Sequence, residues 1–199
     1  MVNKIYLIVF LLIALTQAKS QTNSNLEKIY LLIDRSVEYA DSIACLESNL
    51  NSINLSLPNH FDVLKPRIIN SFINKGYKVI SRDSVDNKLM IYSLLNVGTE
   101  YSDIFKDGFF GDYFVTRKLS LTGSVLIQAE KFFYKPNQFY FMVTDTVRVE
   151  ETENLENKFI PFTRGVLPDP MLLNNLLEPI LVVGTLIVTI ILFFTIRGK

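Results

Sequence analysis

The sequence predicts an α+β domain, an about five-stranded mixed sheet with two helices on one face, followed by a C-terminal transmembrane helix. Three observations carry this. A stretch with helical apolar period lies between two strand-like runs over residues 53–80. Two long later stretches alternate apolar and polar residues, as antiparallel strands with one wet face do. Near the end, the 17 residues Ile180–Ile196 carry no charge.

The chain opens with MVNKIYLIVFLLIALTQAKSQ. Lys4 gives a basic start, Ile5–Leu15 an apolar run, and Ala18-Lys19-Ser20 the small residues of a signal peptidase site. Residues 1–20 therefore read as a signal peptide and 21–156 as an exported α/β domain. Residues 157–178 read as a Pro-rich stalk and interfacial helix, 179–196 as the transmembrane helix and 197–199 as a cytoplasmic tail.

Ser24 and Glu27 stand at capping-box spacing, and Leu26, Ile29, Tyr30, Ile33 and Val37 follow with helical period. Ile53, Leu55 and Leu57 alternate with Asn54 and Ser56 in a short strand ending at Pro58. Phe61, Leu64, Ile68, Ile69, Phe72 and Ile73 then fall on one helical face, with Asp62 at the start, Lys75 at the end and Gly76 as the stop. Pro66 sits early enough to be tolerated. Tyr77–Ile80 reads as the next strand, which completes a βαβ unit whose strands should be parallel.

KLMIYSLLNV is apolar on both faces, as a central strand is. In DYFVTRKLSLTGSVLIQAE, Val115, Leu119, Leu121, Val125 and Ile127 point one way and Thr116, Lys118, Ser120, Thr122 and Ser124 the other. QFYFMVTDTVRVE is a further strand, reached through a turn at Lys135-Pro136-Asn137. Between the first two lies GTEYSDIFKDGFFGDYF, read as a long loop. Its Tyr101, Phe105, Phe109 and Phe110 are the candidate partner-docking residues, because aromatic side chains carry much interface energy. The competing reading folds this loop back over the sheet edge.

The formal charge of the whole chain is zero. Loss of the signal peptide removes Lys4 and Lys19, leaving 18 basic and 20 acidic side chains, a net −2. No basic stripe exists, which argues against nucleic acid. Cys45, the one cysteine, has no internal disulfide partner and is expected as a small buried hydrophobe, the alternative being an intermolecular disulfide. His60, the one histidine, is expected to lie exposed at a helix start. The Glu150, Glu151, Glu153 and Glu156 run lacks the spacing of a calcium loop. No catalytic, metal or cofactor motif emerges, and the reading is non-enzymatic.

Arg197 and Lys199 follow the apolar stretch, whereas Asp169 and Glu178 precede it with no Lys or Arg back to Arg164. That bias predicts a single-pass protein of the inner membrane with its domain outside and its C-terminus cytoplasmic. The βαβ start with INSFINKGYKVI, and the later GFFGDYFVTRKLSLTGSVLI, resemble the small α/β domain of bacterial envelope lipoproteins. These are the curli-secretion-channel, flagellar outer-membrane-associated and penicillin-binding-protein-activator group. Closer still are Gram-negative envelope proteins with a signal peptide, this domain, a Pro-rich stalk and a C-terminal span. The resemblance implies non-enzymatic assembly, docking or regulation of an envelope machine, and the missing lipidated cysteine favours the inner membrane. The function expected is thus a membrane-anchored periplasmic adaptor, with an envelope protein or a homo-oligomer as partner. The alternative is a small-ligand sensor coupled to a membrane partner.

Overall fold

Ser24 starts the first helix. Its hydroxyl accepts from the Glu27 N–H at 3.3 Å, while the Glu27 carboxylate accepts from the Ser24 N–H at 2.8 Å, closing the capping box. Helix α1 runs Asn25–Ala44 and buries Ile29, Leu32, Ile33, Val37, Ala40 and Ala44 along one face. The computed structural model describes residues 22–46, 50–80, 88–108, 111–129, 132–133, 136–169 and 172–197, so the expected signal peptide lies outside the described residues.

Strand β1 is Ser52–Ser56, and a 3-10 turn over Asn59–Leu64 leads into helix α2, Lys65–Asn74. The helix expected from Phe61 onward therefore begins as a 3-10 turn. Pro66 has no N–H to give the residue 62 carbonyl, and its ring crowds that carbonyl. The α-helical ladder starts only at Lys65, which leaves Pro66 in the first turn, where it costs least. Phe61, Leu64, Ile68 and Phe72 are buried, whereas Ile73 at the helix end is exposed. Gly76, at φ +92°, turns the chain into β2, Lys78–Val79. β1 and β2 are parallel, with Ile53 opposite Val79.

Strand β3 is Lys88–Lys106, β4 Tyr113–Ala129, β5 Phe132–Phe133 and β6 Asn137–Arg148. The sheet order is β2-β1-β3-β4, with β5 and β6 sharing the outer edge of β4, so the sheet is five strands wide. β1 and β3 are parallel, and the other pairs are antiparallel. The 17-residue loop read from the sequence is mostly strand, because β3 continues to Lys106 and β4 begins at Tyr113. Two register shifts in β3, at Leu94/Asn96 and Ser102/Ile104, interrupt its alternation and hide the strand in the sequence. Part of the two-sided apolar character of KLMIYSLLNV has the same origin, though Leu89 and Ile91 lie before the shift. Met90, Tyr92, Leu94 and Val97 face the core, and the extra residue Leu95 is 53% exposed.

Both helices pack on one face of the sheet. Phe72 meets the Tyr92 ring at 5.4 Å, and Tyr39 of α1 meets Phe139 and Phe141 of β6 at 5.9 and 6.1 Å. Each fully buried large side chain contributes about 1.5–3 kcal/mol. The Tyr92 hydroxyl reaches Ser36 Oγ at 2.6 Å, and burial pushes its pKa up. A second, smaller core of Tyr101, Val115, Val147 and Leu155 lies further along the β3–β4 hairpin.

After β6 come a 3-10 turn, Val149–Glu151, helix α3, Thr152–Leu155, and a second 3-10 turn, Pro161–Thr163. Ile160 and Phe162 join the main core, and Phe162 packs edge-on against Phe61 at 5.4 Å. Residues 156–165 thus form a strap held against the domain. Helix α4 follows, Leu172–Arg197.

Two expectations are corrected. Among the described residues, no helix is long and apolar enough to cross a membrane. The uncharged run within α4, residues 180–196, has 17 residues. At about 1.5 Å per residue this reaches about 26 Å, short of the ~30 Å hydrocarbon layer. The transmembrane helix, the membrane as a partner through a single C-terminal span, and the single-pass inner-membrane location are therefore not supported. Cys45 is also exposed rather than buried, because it falls at the C-terminal cap of α1, beyond the last inward residue, Ala44.

Candidate functional site

The distal end of the β3–β4 hairpin gathers the sequence-predicted site residues, but not as one surface. Tyr101 is 4% exposed and belongs to the second core. Two residues on, Asp103 takes a left-handed conformation, φ 54°, at the second register shift of β3. This shift sends Ile104 inward and Phe105 to the open face, opposite Phe114. Phe105 is 45% exposed, and its ring stacks on Phe114 at 6.0 Å and 20°. Lys106 Nζ lies 5.3 Å from the Tyr113 ring centroid, and Arg148 Nε pairs with Asp112 at 3.3 Å. The turn is closed by the Asp107 N–H donating to the Asp112 carbonyl at 3.0 Å, with Gly108 at φ +71°. Phe109 and Phe110 lie outside the described residues.

Beneath this end sits a polar cluster that the sequence reading missed. Arg117, on β4, is fully buried. Its Nε and Nη2 donate to the two Asp145 oxygens at 2.8 and 2.6 Å. Its Nη1 donates to the Asn23 carbonyl at 3.0 Å and to Asn25 Oδ1 at 2.8 Å. Asn25 Nδ2 donates in turn to the Tyr101 hydroxyl at 3.0 Å and to the Thr163 carbonyl at 2.7 Å. Lys28 Nζ stands 3.3 Å from Asp145. Burial opposes charge on Asp145, yet Arg117 and Lys28 together hold its carboxyl below the ordinary value. Burial also pushes the Tyr101 hydroxyl up, against the Asn25 hydrogen bond. The available signal was parity: Arg117 falls between Val115 and Leu119, both inward residues of β4.

The arrangement fixes geometry. Every hydrogen-bonding group described in the cluster faces α1, β3, β4, β6 or the strap, so four elements and the strap are locked behind the hairpin. Thr99 Oγ1 donates to the Phe162 carbonyl at 3.0 Å, holding the strap against β3, and Glu156 Oε1 accepts from the Gly165 N–H at 2.9 Å, closing the strap on itself. His60 is exposed and rests on the Phe61 ring at 4.0 Å. Among the described residues, no group of three His, Cys, Asp or Glu side chains is placed to hold a metal ion.

No protein-family model and no curated protein matches the chain. Among solved structures it is similar to a minor lipoprotein from Acinetobacter baumannii, at 15% identity and TM-score 0.36, over 52% of this chain and 73% of that one. It is also similar to rare lipoprotein B from Shewanella oneidensis, at 12% identity and TM-score 0.32, over 66% and 82% of the two chains. A neuraminyllactose-binding hemagglutinin homolog from Helicobacter pylori matches at 13% identity and TM-score 0.32, over 52% and 67%. These neighbours are two bacterial lipoproteins and a hemagglutinin homolog, and at such TM-scores their likeness carries no argument about this chain.

Proposed function

We propose that the chain is a non-enzymatic binding domain of the bacterial cell envelope, exported after loss of residues 1–20. It docks another envelope protein through the distal end of the β3–β4 hairpin. The observation that carries this is Phe105. A register shift turns it out of the core, and it stays 45% exposed beside Phe114 on a hairpin end anchored by Arg117. An aromatic pair on a rigid support offers contact area with little entropy left to lose on binding. Phe109 and Phe110, between the two strands in sequence, belong to the same proposed surface. Tyr101 supports it from below and does not contact the partner.

The test is in-cell crosslinking of the tagged full-length chain, with mass spectrometry of the proteins it captures. The triple variant Phe105→Ser, Phe109→Ser, Phe110→Ser is expected to lose a specific envelope partner while keeping its thermal midpoint. A partner retained at full yield by the folded triple variant rejects this docking surface.

A further inference from the structure

The two long flanks of the sheet are treated differently. Beyond Ser93, β3 leaves the register of β1, and the strap takes over along that flank through the Thr99–Phe162 hydrogen bond and the Gly165–Tyr101 contact. On the other flank, β6 pairs with β4 alone among the described residues. That leaves a 12-residue strand whose alternate N–H and C=O groups point away from β4. Exposed edges are ordinarily blunted by lysine, proline or a bulge. β6 has no proline or lysine, and its register with β4 is unbroken. From Asn137 to Val147 its one charge is Asp145, already held by Arg117 and Lys28.

We infer that β6 is a pairing edge for a second copy of the chain, joined antiparallel about a two-fold axis at Met142. An axis perpendicular to the sheet brings each residue opposite one of the same face. The outward N–H groups of one copy then meet the outward C=O groups of the other. In this register Met142 faces Met142, Tyr140 faces Thr144 and Gln138 faces Thr146. Asp145 faces Phe139, so no like charges meet. Tyr140 and Met142 are 61% and 48% exposed, and the Tyr140 hydroxyl donates to Met142 Sδ at 3.3 Å. Pairing would place an aromatic opposite a β-branched residue on each side of the axis, a favoured cross-strand combination. A neutral edge of this kind fits another neutral strand, and β6 is itself one.

The experiment uses the full-length chain carrying Cys45→Ser and one new cysteine. In the proposed register the two copies of residue 142 have Cα atoms about 4.5–5.5 Å apart, within disulfide reach. The two copies of residue 138 lie eight positions out of register, about 27 Å apart. Under mild oxidation Met142→Cys is expected to give a covalent dimer at least roughly tenfold faster than Gln138→Cys, which is out of disulfide range. Equal yields at the two positions, as collision or association through α4 would give, overturn the proposal. So does the absence of dimer, or an in-cell crosslink from residue 142 to a chain of different mass. Met142→Lys, on the exposed face, is expected to abolish the dimer in sedimentation while the far-UV circular dichroism of the folded domain is kept. A dimer that survives this change also overturns the proposal.

Discussion

Asn25 Nδ2 donates to the Thr163 carbonyl at 2.7 Å, joining the first turn of α1 to the last 3-10 turn of the strap. The same side chain accepts from Arg117 and donates to Tyr101, so one amide ties three separate parts of the chain.

Removing that amide orphans several buried groups at once. Asn25→Ala is expected to lower the unfolding free energy by about 1–3 kcal/mol, the cost of leaving buried partners unsatisfied. Urea denaturation read by circular dichroism checks this. No neighbouring side chain on α1 can take over the bonds, because the next inward position is the apolar Ile29.

Asp145→Asn should cost more. It keeps the shape but leaves the Arg117 cation buried without its counter-charge, for which about 3–5 kcal/mol is the usual loss. Lys28→Ala removes only a partly exposed partner of the same carboxylate and is expected to cost about 1 kcal/mol or less. Equal effects in denaturant titrations would mean that Arg117 is not held chiefly by Asp145.

The same carboxylate sets an acid response. Its folded pKa lies below its ordinary value of 3.8, so its contribution is fully present above that value. It is lost as pH falls through the lower folded value, where the native state must take up a proton. Wild-type stability is therefore expected to drop below about pH 4, and Asp145→Asn should flatten part of that drop. Thermal midpoints of both proteins between neutral and acid pH decide it.

A Cβ at position 123 would lie 2.3 Å from the Phe139 ring and 2.5 Å from the Ser93 carbonyl oxygen, which is backbone and moves little. Gly123→Ala is expected to cost about 1–3 kcal/mol by overpacking. Gly76→Ala meets no atom within 4 Å but must hold φ +92°, so its cost comes from backbone strain alone. Comparing crystal structures or midpoints of the two variants separates the mechanisms.

Local chemistry made the first half of the fold legible. Ser24 and Glu27 announced α1, the Ile53–Leu57 alternation announced β1, and Gly76 marked the end of α2. The 3-10 entry to α2 was less visible, since Pro66 permits a helix there while forbidding its first regular turn. The distal hairpin has the sequence character of a loop because the shift at Asp103 breaks the alternation that would join Tyr101 to Ile104. Of the docking candidates, Tyr101 looked available because it is aromatic and close to glycines. Its burial depends on Val115, Val147 and Leu155, which are remote in sequence. Arg117 and Asp145 were missed for a related reason: two charges look like solvated ones until parity puts both on the inward face.

The Asn25–Thr163 bridge has a mechanical consequence. The chain enters the folded unit and leaves it at nearly the same point, so the domain hangs as a pendant and is not a link in series. Tension applied between the segment before Ser24 and the segment after Gly165 would load that bridge and the strap first, and would enter the sheet only through Arg117, Tyr101 and Thr99, short of the distal turn.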